Sequence, residues 1–309
     1  MSCSQNLIKL YIKAVTSAVR LIGWLQSGDV NKYKNKGELF KGEILTNYYG
    51  RKYLPAVKEL IQQKQIIVKN SSETIWQFWD NPAGQTTPKI VKSSLESVNK
   101  FKGGFHHKIL DNSTLHSFTD LPGYIIDKFN KRLMDYAHFS DLLRLNLLKN
   151  HGGVWIDATA YMTGFIPQYI INEDFFVFLT GRQTHFPYSF MQSCFIRAKK
   201  GSFLCGAWYQ MCIEYWKKER KKLDYFQIHL MFRALVSKNQ TAKELFNKMR
   251  HVSEDETHQL VGDNLLKTFD IDEWERIKKK SFFQKTTFKI NGAAKHPDTY
   301  FSKLCEGNL

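Results

Sequence analysis

The stretch that decides the fold is residues 138–159, which read HFSDLLRLNLLKNHGGVWIDAT. Leucines lie on most sides of a helix in its first half, which predicts that this helix is buried. Gly152 and Gly153 follow, and glycine commonly ends a helix because it tolerates positive φ. The apolar run Val154–Ile156 then predicts a buried strand with Asp157 at its end.

Alternating strands and helices extend from this stretch in both directions. The predicted strands are residues 74–79, 105–110, 154–156 and 175–179. The predicted helices are residues 88–98, 124–149, 208–222 and 225–237. This alternation predicts an α/β fold with a mostly parallel sheet. Ligands of such folds bind beyond the carboxyl ends of strands, which is where Asp80 and Asp157 are expected.

An N-terminal helical region precedes this domain. Residues 4–27 place apolar side chains at three- and four-residue steps, which predicts an amphipathic helix, and a second helix is predicted over residues 53–65. We place the boundary so that residues 1–70 form the helical region and residues 71–309 the α/β domain. The amphipathic helix could lie on an anionic membrane, pack on the main domain or bind a partner protein.

The net charge of +16 narrows the classes of partner. A surface this basic attracts nucleic acid, an anionic membrane or a phosphorylated small molecule. The densest basic runs, residues 217–222 and 278–280, are more typical of solvated helix faces than of a binding surface. No zinc-ligand spacing or RNA-binding motif accompanies them, so we expect no nucleic-acid partner.

Cysteine spacing and the N-terminal charges indicate the cellular compartment in which the protein is expected. The five cysteines are odd in number and contain no CxxC pair, which is typical of a reduced cytoplasmic protein without disulfides. Lys9, Lys13 and Arg20 interrupt the first apolar run, so neither a secretory signal nor a membrane-spanning helix is expected there. We expect a cytoplasmic protein that could sit at the inner face of the membrane.

The acidic and basic residues of the central stretch allow two interpretations each. Asp141 and Arg144 are three residues apart and share a helix face, so they could form a buried salt bridge or hold the hydroxyls of a sugar. Asp157 could cap a turn, or it could bind a divalent cation that neutralises a diphosphate leaving group. The residues alone leave both choices open.

The combination of these residues resembles a known signature. The runs SDLLR at 140–144 and GGVWIDAT at 152–159 are similar to the pattern SD-x-x-R … GG-x-x-x-D-x-D of DXD-containing sugar transferases. That group includes initiating mannosyltransferases, glucosylating bacterial toxins and bacterial capsular polysaccharide synthesis proteins. The resemblance is greatest to the last of these, whose variant of the DXD box is similar to residues 157–159.

The resemblance extends over roughly residues 73–240, since IWQFW at 75–79 is similar to the first strand of the family. It implies a GT-A, Rossmann-like fold that binds a nucleotide-diphosphate sugar, usually with Mn²⁺ or Mg²⁺. The residues that it places at the donor are Gln77, Trp79, Asp141, Arg144 and Asp157. Among these, Trp79 would stack on the nucleotide base, and Asp141 and Arg144 would grip the donor sugar.

The resemblance also implies catalytic and metal-binding residues. Asp157 would act in catalysis and face the metal, with Thr159 at the second DXD position. Because a hydroxyl is a weaker ligand than a carboxylate, either the reaction does without a metal or a residue such as His296 completes the site. Asp224, which also fits a helix N-cap, is the second catalytic candidate and would activate or orient the acceptor.

Three lysines near the end of the chain, Lys285, Lys289 and Lys295, flank a strand-like segment at 286–290. They could close over the diphosphate of the donor as a C-terminal lid.

The function implied by the resemblance is sugar transfer to a bacterial surface glycan such as capsule or lipopolysaccharide, with retention of configuration. The glycan acceptor could be lipid-linked. Two alternatives stay open. The first is a catalytically silent, glycosyltransferase-like binding module in a capsule-assembly complex, and the second is a toxin-like transferase that modifies proteins.

Overall fold

The computed structural model describes residues 3–27, 34–57, 73–81, 84–181, 186–290, 297–307 and 309. The strands are β1 Thr74–Phe78, β2 His106–Leu110, β3 Gly153–Ile156, β4 Ala160–Met162, β5 Phe175–Leu179, β6 Met191–Ala198 and β7 Phe283–Lys285. The helices are α1 Cys3–Ser27, α2 Lys34–Tyr53, α3 Lys89–Lys100, α4 Gly123–Asn130, α5 Tyr136–His151, α6 Gln168–Ile171, α7 Phe203–Lys218, α8 Gln227–Lys238, α9 Gln240–Lys248, α10 Ile271–Lys280 and α11 Tyr300–Glu306.

A five-stranded sheet with the order β2-β1-β3-β6-β5 forms the centre of the fold. β1 pairs in parallel with both β2 and β3, whereas β6 runs antiparallel to both β3 and β5. Four of the five strands therefore run in one direction, which confirms the predicted α/β fold with a mostly parallel sheet. Because β1 and β3 are parallel neighbours, the residues that follow them meet at one edge of the sheet.

The glycine pair between α5 and β3 allows the close approach of these elements. Gly152 has φ of 72° and Gly153 has φ of 106°, a region that favours glycine. A Cβ atom at Gly153 would lie only 2.2 Å from the carbonyl oxygen of Thr74 in β1. The pair therefore ends α5, as predicted, and lets β3 lie against β1.

The predicted helix over residues 124–149 is wrong in one respect, because it is two helices. α4 ends at Asn130, and Arg132 takes a positive φ of 54° in the turn that follows. The carboxylate of Asp135 then caps the new helix α5 by accepting a hydrogen bond from the backbone N–H of His138. This turn changes the direction of the chain just before the central stretch begins.

Other elements also differ from the expectation. α2 and β6 were not predicted, and the expected helix over residues 53–65 is a short 3₁₀ turn at Leu54–Val57 as far as residue 57. Residues 58–72 lie outside the described residues, and the predicted domain boundary falls among them. The segment 286–290 is not a strand, since β7 ends at Lys285.

The N-terminal helices pack on the main domain. α1 confirms the predicted helix over residues 4–27 and contacts α2, which in turn contacts α8. Tyr49 and Tyr53 of α2 are fully buried in the same apolar core as the sheet. None of the helices in the described parts of the chain is long and apolar enough to cross a membrane.

A second, smaller hydrophobic core lies apart from the core around the five-stranded sheet. It joins α3, β4 and the C-terminal helices α10 and α11 through buried side chains that include Val91, Tyr161, Trp274 and Leu304. The two-stranded sheet β4–β7 lies beside it, and its register pairs Ala160 with Lys285. This pairing brings the C-terminal part of the chain next to the residues that follow β3.

Candidate active site

A cavity of about 490 Å³ opens where β1 and β3 end. Its wall combines the segments after β1 and β3, the first half of α5, the start of α8 and the segment after β7. The polar and aromatic side chains of this wall include Trp79, His138, Asp141, Arg144, Asp157, Thr159, His229 and Phe288. The cavity therefore lies at the edge of the sheet where the alternating pattern predicts a ligand.

Arg144 joins three elements in the wall of this cavity. Its Nη2 lies 3.1 Å from Oδ1 of Asp141 and 3.4 Å from Oδ1 of Asp157. Its Nη1 donates hydrogen bonds to the backbone oxygen of Ser193 at 2.6 Å and to the hydroxyl of Ser193 at 2.8 Å. The guanidinium also lies over the ring of Trp155, 5.0 Å from its centroid. The structure thus brings Asp141, Arg144 and Asp157 together as predicted.

The two carboxylates differ in how readily they ionise. Burial raises the pKa of Asp141 above its ordinary value, although Arg144 acts in the opposite direction. Burial acts to raise the pKa of Asp157 as well, but the charges of Arg144 and Lys285 outweigh it, and this pKa is lowered. Asp157 is therefore the more firmly ionised of these two carboxylates.

Trp79 lies in the wall of the cavity, and its contact with a nucleotide base stays a prediction. Its indole N–H donates to Oδ1 of Asn81 at 2.7 Å, which fixes the orientation of the ring. The ring of Phe288 meets it edge-to-face at 5.2 Å between centroids. Together they give this part of the cavity an aromatic surface.

Gln77 and Asp224 do not belong to the described lining of the cavity. Gln77 is buried behind the wall, where its Oε1 bonds to Nε2 of His107 at 2.6 Å and its Nε2 donates to the backbone oxygen of Asp157 at 3.4 Å. One carboxylate oxygen of Asp224 lies 2.8 Å from Nζ of Lys41 in α2, and the other accepts from the backbone N–H of Phe226. These contacts explain both side chains structurally, and their roles toward donor and acceptor stay predictions.

Two histidines of the cavity wall had no predicted role. Nδ1 of His138 lies 3.0 Å from a carboxylate oxygen of Asp135, while its Nε2 and the Nδ1 of His229 are buried without a hydrogen-bond partner among the described residues. Burial, with the nearby charges of Arg144 and His138, lowers the pKa of His229 to about 3, so the ring is neutral. Because unpartnered buried nitrogens cost free energy, these two are suited to the hydroxyls of a ligand. The spacing Asp135-x-x-His138, at the start of the central stretch, is the sequence signal that could have indicated a role for His138.

The space between the side chains of Asp157 and Thr159 is occupied by the ammonium group of a lysine. The ammonium of Lys285 donates a hydrogen bond to the hydroxyl of Thr159 and lies 3.7 Å from Oδ2 of Asp157. Mn²⁺ and Mg²⁺ take several oxygen ligands, and one carboxylate with one hydroxyl already bonded to an ammonium does not fit them. No group of three or more acidic, histidine or cysteine side chains in the described parts of the chain could hold a metal. The third proposed ligand, His296, lies outside the described residues.

Comparisons with known proteins place these residues in a family context. The model of a family described as capsular polysaccharide synthesis protein matches residues 26–304. O-glycosyltransferase braB of Annulohypoxylon truncatum is 29% identical over 101 residues, which are 30% of this chain and 24% of that protein. The match therefore spans about a quarter of the length of this curated relative.

Two solved structures are similar at low identity. The PaToxG glycosyltransferase gives a TM-score of 0.38 at 12% identity, over 87% of this chain and 97% of that chain. A glycosyltransferase involved in the glycosylation of the major capsid of PBCV-1 gives a TM-score of 0.39 at 10% identity, over 75% of this chain and 98% of that chain.

Proposed function

Because the chain belongs to the family of capsular polysaccharide synthesis proteins, we propose that it is a glycosyltransferase that uses a nucleotide-diphosphate sugar as its donor. The observation that carries this proposal is the group Asp141, Arg144 and Asp157 in the wall of a cavity that also holds Trp79. A family resemblance in sequence and a ligand-sized cavity in the structure involve the same residues.

The chemistry of the wall suits each part of such a donor. The volume of about 490 Å³ is within the range of small-molecule sites. Trp79 and Phe288 offer aromatic surface to the base, and Lys289 lines the same cavity and can approach a phosphate. Asp141 and the neutral His229 can exchange hydrogen bonds with sugar hydroxyls.

In the proposed reaction, an acceptor hydroxyl attacks the anomeric carbon of the donor sugar. The bond from that carbon to the phosphate oxygen breaks, a new carbon–oxygen bond forms, and the hydroxyl proton passes to the departing nucleoside diphosphate. We propose retention of configuration and a bacterial surface glycan, capsule or lipopolysaccharide, as acceptor. The family description supports a polysaccharide acceptor.

A donor panel tests this function. The purified chain is incubated with sugars activated by UDP, GDP, CDP and ADP, and released nucleotide and thermal stabilisation are measured. We expect one donor to stabilise the chain and release nucleotide. Asp157→Asn should lower release about 100-fold or more, because it removes the negative charge that Arg144 and Lys285 face. Asp174→Asn is the matched control, since Asp174 pairs with Lys199 at an exposed place outside the cavity lining.

Two results would favour another function, and a third would change the role of Asp157. If no donor stabilises the chain, a glycosyltransferase-like binding module becomes the better interpretation. If a donor is used and the acceptor is a protein rather than a glycan, the toxin-like alternative gains support. Equal turnover by Asp157→Asn and the wild-type chain would remove Asp157 from the catalytic site.

We also propose that α1 contacts an anionic membrane surface, where a lipid-linked acceptor would be found. One face of α1 exposes large apolar side chains by more than half of their surface: Leu7, Leu10, Tyr11, Leu21, Ile22 and Leu25. The net charge of +16 favours anionic lipid. An exposed apolar helix face and a basic chain are the features of an interfacial helix.

Sedimentation with lipid vesicles tests this contact. We expect the chain to sediment with vesicles containing phosphatidylglycerol and the double variant Leu10→Glu/Leu21→Glu to remain in solution. Leu245→Glu/Ile271→Glu, which adds the same two charges at exposed sites on α9 and α10, is the control. Equal sedimentation of the double variant and the control would exclude α1 as the contact.

A further inference from the structure

We propose that the ammonium of Lys285 takes the place of a divalent cation in this site, so that the donor diphosphate binds without a metal. The proposal rests on the donor-binding function above. It concerns the position between the side chains of Asp157 and Thr159, where the DXD signature would place a metal between two carboxylates.

Lys285 is fixed in this position by the fold. β4 and β7 are antiparallel, and their register sets Lys285 opposite Ala160, the residue after Thr159. The backbone N–H and the hydroxyl of Thr286 both donate to the backbone oxygen of Thr159, each at 2.8 Å. Lys285 and Thr286 are therefore both held against residues 159–160 by strand pairing and hydrogen bonds.

The ammonium of Lys285 contacts the same side-chain oxygens that a metal ion would need as ligands. Nζ of Lys285 donates to the hydroxyl of Thr159 and faces Oδ2 of Asp157 at 3.7 Å. The other oxygen of Asp157 accepts from the indole N–H of Trp155 at 2.8 Å and faces Arg144 at 3.4 Å. Both oxygens of the carboxylate are thus directed at donors or cations of the protein.

The two cations beside Asp157 act against a metal at this point. A divalent cation beside Asp157 would lie close to the ammonium of Lys285 and the guanidinium of Arg144, and like charges at such distances repel strongly away from bulk water. A diphosphate has the opposite sign and can pair with the same two cations. The side chain of Lys285 keeps 22% of its surface exposed and contacts Asp157 and Thr159, which line the cavity.

The first experiment measures Mn²⁺ alone. The chain is stripped with EDTA and desalted, and free Mn²⁺ is followed by electron paramagnetic resonance during a titration. We expect the wild-type chain to bind Mn²⁺ more weakly than about 1 mM. The double variant Thr159→Asp/Lys285→Met, which restores two carboxylates and removes the ammonium, should bind at least about tenfold more tightly. Tight Mn²⁺ binding by the wild-type chain that Asp157→Asn abolishes would overturn the proposal.

The second experiment measures nucleotide binding by calorimetry, with UDP, GDP, CDP and ADP as probes, in EDTA and in Mn²⁺. We expect the best probe to bind the wild-type chain equally in both buffers. Lys285→Met should weaken binding about 10- to 100-fold, and Lys285→Arg should retain more of it because the charge remains. Lys279→Ala, which removes an exposed lysine of α10, is the matched control.

The two experiments separate this proposal from the proposed function. Nucleotide binding that requires Mn²⁺, or that Lys285→Met leaves unchanged, overturns the role of Lys285 while leaving a donor site intact. If no probe binds in either buffer, the donor-binding function fails, and the Mn²⁺ titration still decides whether the lysine excludes a metal.

Discussion

Arg144 shows how one side chain can serve both the fold and the site. The spacing of Asp141 and Arg144 on one helix face indicated either a salt bridge or a grip on a sugar. The structure shows the ion pair and places both side chains in the cavity wall. The sequence could not predict that Asp157 and Ser193 share the same guanidinium, because that depends on how α5 packs against β3 and β6.

Replacement of Arg144 tests its contribution to the stability of the fold. Arg144→Met leaves two carboxylates without their common cation, and we expect the free energy of unfolding to fall by about 3–5 kcal/mol. Adding Asp141→Asn should restore part of this loss, because burial already favours the neutral form of Asp141. Urea denaturation at neutral pH measures both variants.

Arg233→Met is the control for this measurement. Arg233 pairs with Glu43, whose side chain is 54% exposed, and pairs of this kind contribute about 1 kcal/mol or less. If Arg144→Met costs no more than this control, the buried ion pair does not hold the site together.

At the scale of secondary-structure elements, the sequence located strands better than the breaks between helices. β1, β3 and β5 were found because each is a short apolar run bounded by turn residues. β6 was missed because Arg197 interrupts its apolar pattern, and the structure shows that this arginine is buried and donates to the backbone oxygen of Gly153 at 3.1 Å. The break between α4 and α5 was missed because it depends on the positive φ of Arg132 and the cap at Asp135.

The contact between β1 and β3 gives a prediction for glycine. Gly153→Ala would place a Cβ atom 2.2 Å from the oxygen of Thr74, so we expect a loss of at least about 2 kcal/mol from this clash and the positive φ together. Because β3 leads into Asp157, nucleotide binding should weaken as well. Urea denaturation and calorimetry measure the two effects.

Gly206→Ala is the matched substitution, since its Cβ atom in α7 meets nothing within 4 Å. Alanine is the better helix former, so we expect this variant to gain about 0.5–1 kcal/mol. A Gly153→Ala variant as stable as Gly206→Ala would show that β3 does not need the close approach to β1.

At the scale of the whole molecule, buried histidines make stability depend on pH. Burial lowers the pKa of His229 to about 3 and that of His258 to about 4. The unfolded chain takes up these protons near pH 6.5, whereas the folded chain does not. Stability from this source is therefore complete above about pH 6.5 and is lost as the pH falls toward 4.

Denaturation at pH 7 and pH 5 measures this loss. Each of the two histidines contributes a decrease of up to about 1.4 kcal/mol per pH unit within the window. His229→Gln and His258→Gln should each reduce the slope, while His116→Gln, at an exposed position, should not. A slope that neither variant changes would assign the acid sensitivity to other groups.

The overall arrangement of the site was only partly predictable. The family signature lies within one continuous stretch, so it indicated Asp141, Arg144, Asp157 and Thr159 together. The C-terminal lysines were expected near the diphosphate, but the contact of Lys285 with Thr159 joins residues 126 positions apart. It depends on the pairing of β4 with β7, which no local pattern indicated.

A crystal structure with the nucleoside diphosphate that binds best, prepared in EDTA, tests the donor site most directly. We expect the base beside the ring of Trp79 and the diphosphate within hydrogen-bond distance of Lys285 or Arg144. A nucleotide bound outside the cavity, or within it but away from these three residues, would contradict the assignment of this cavity as the donor site.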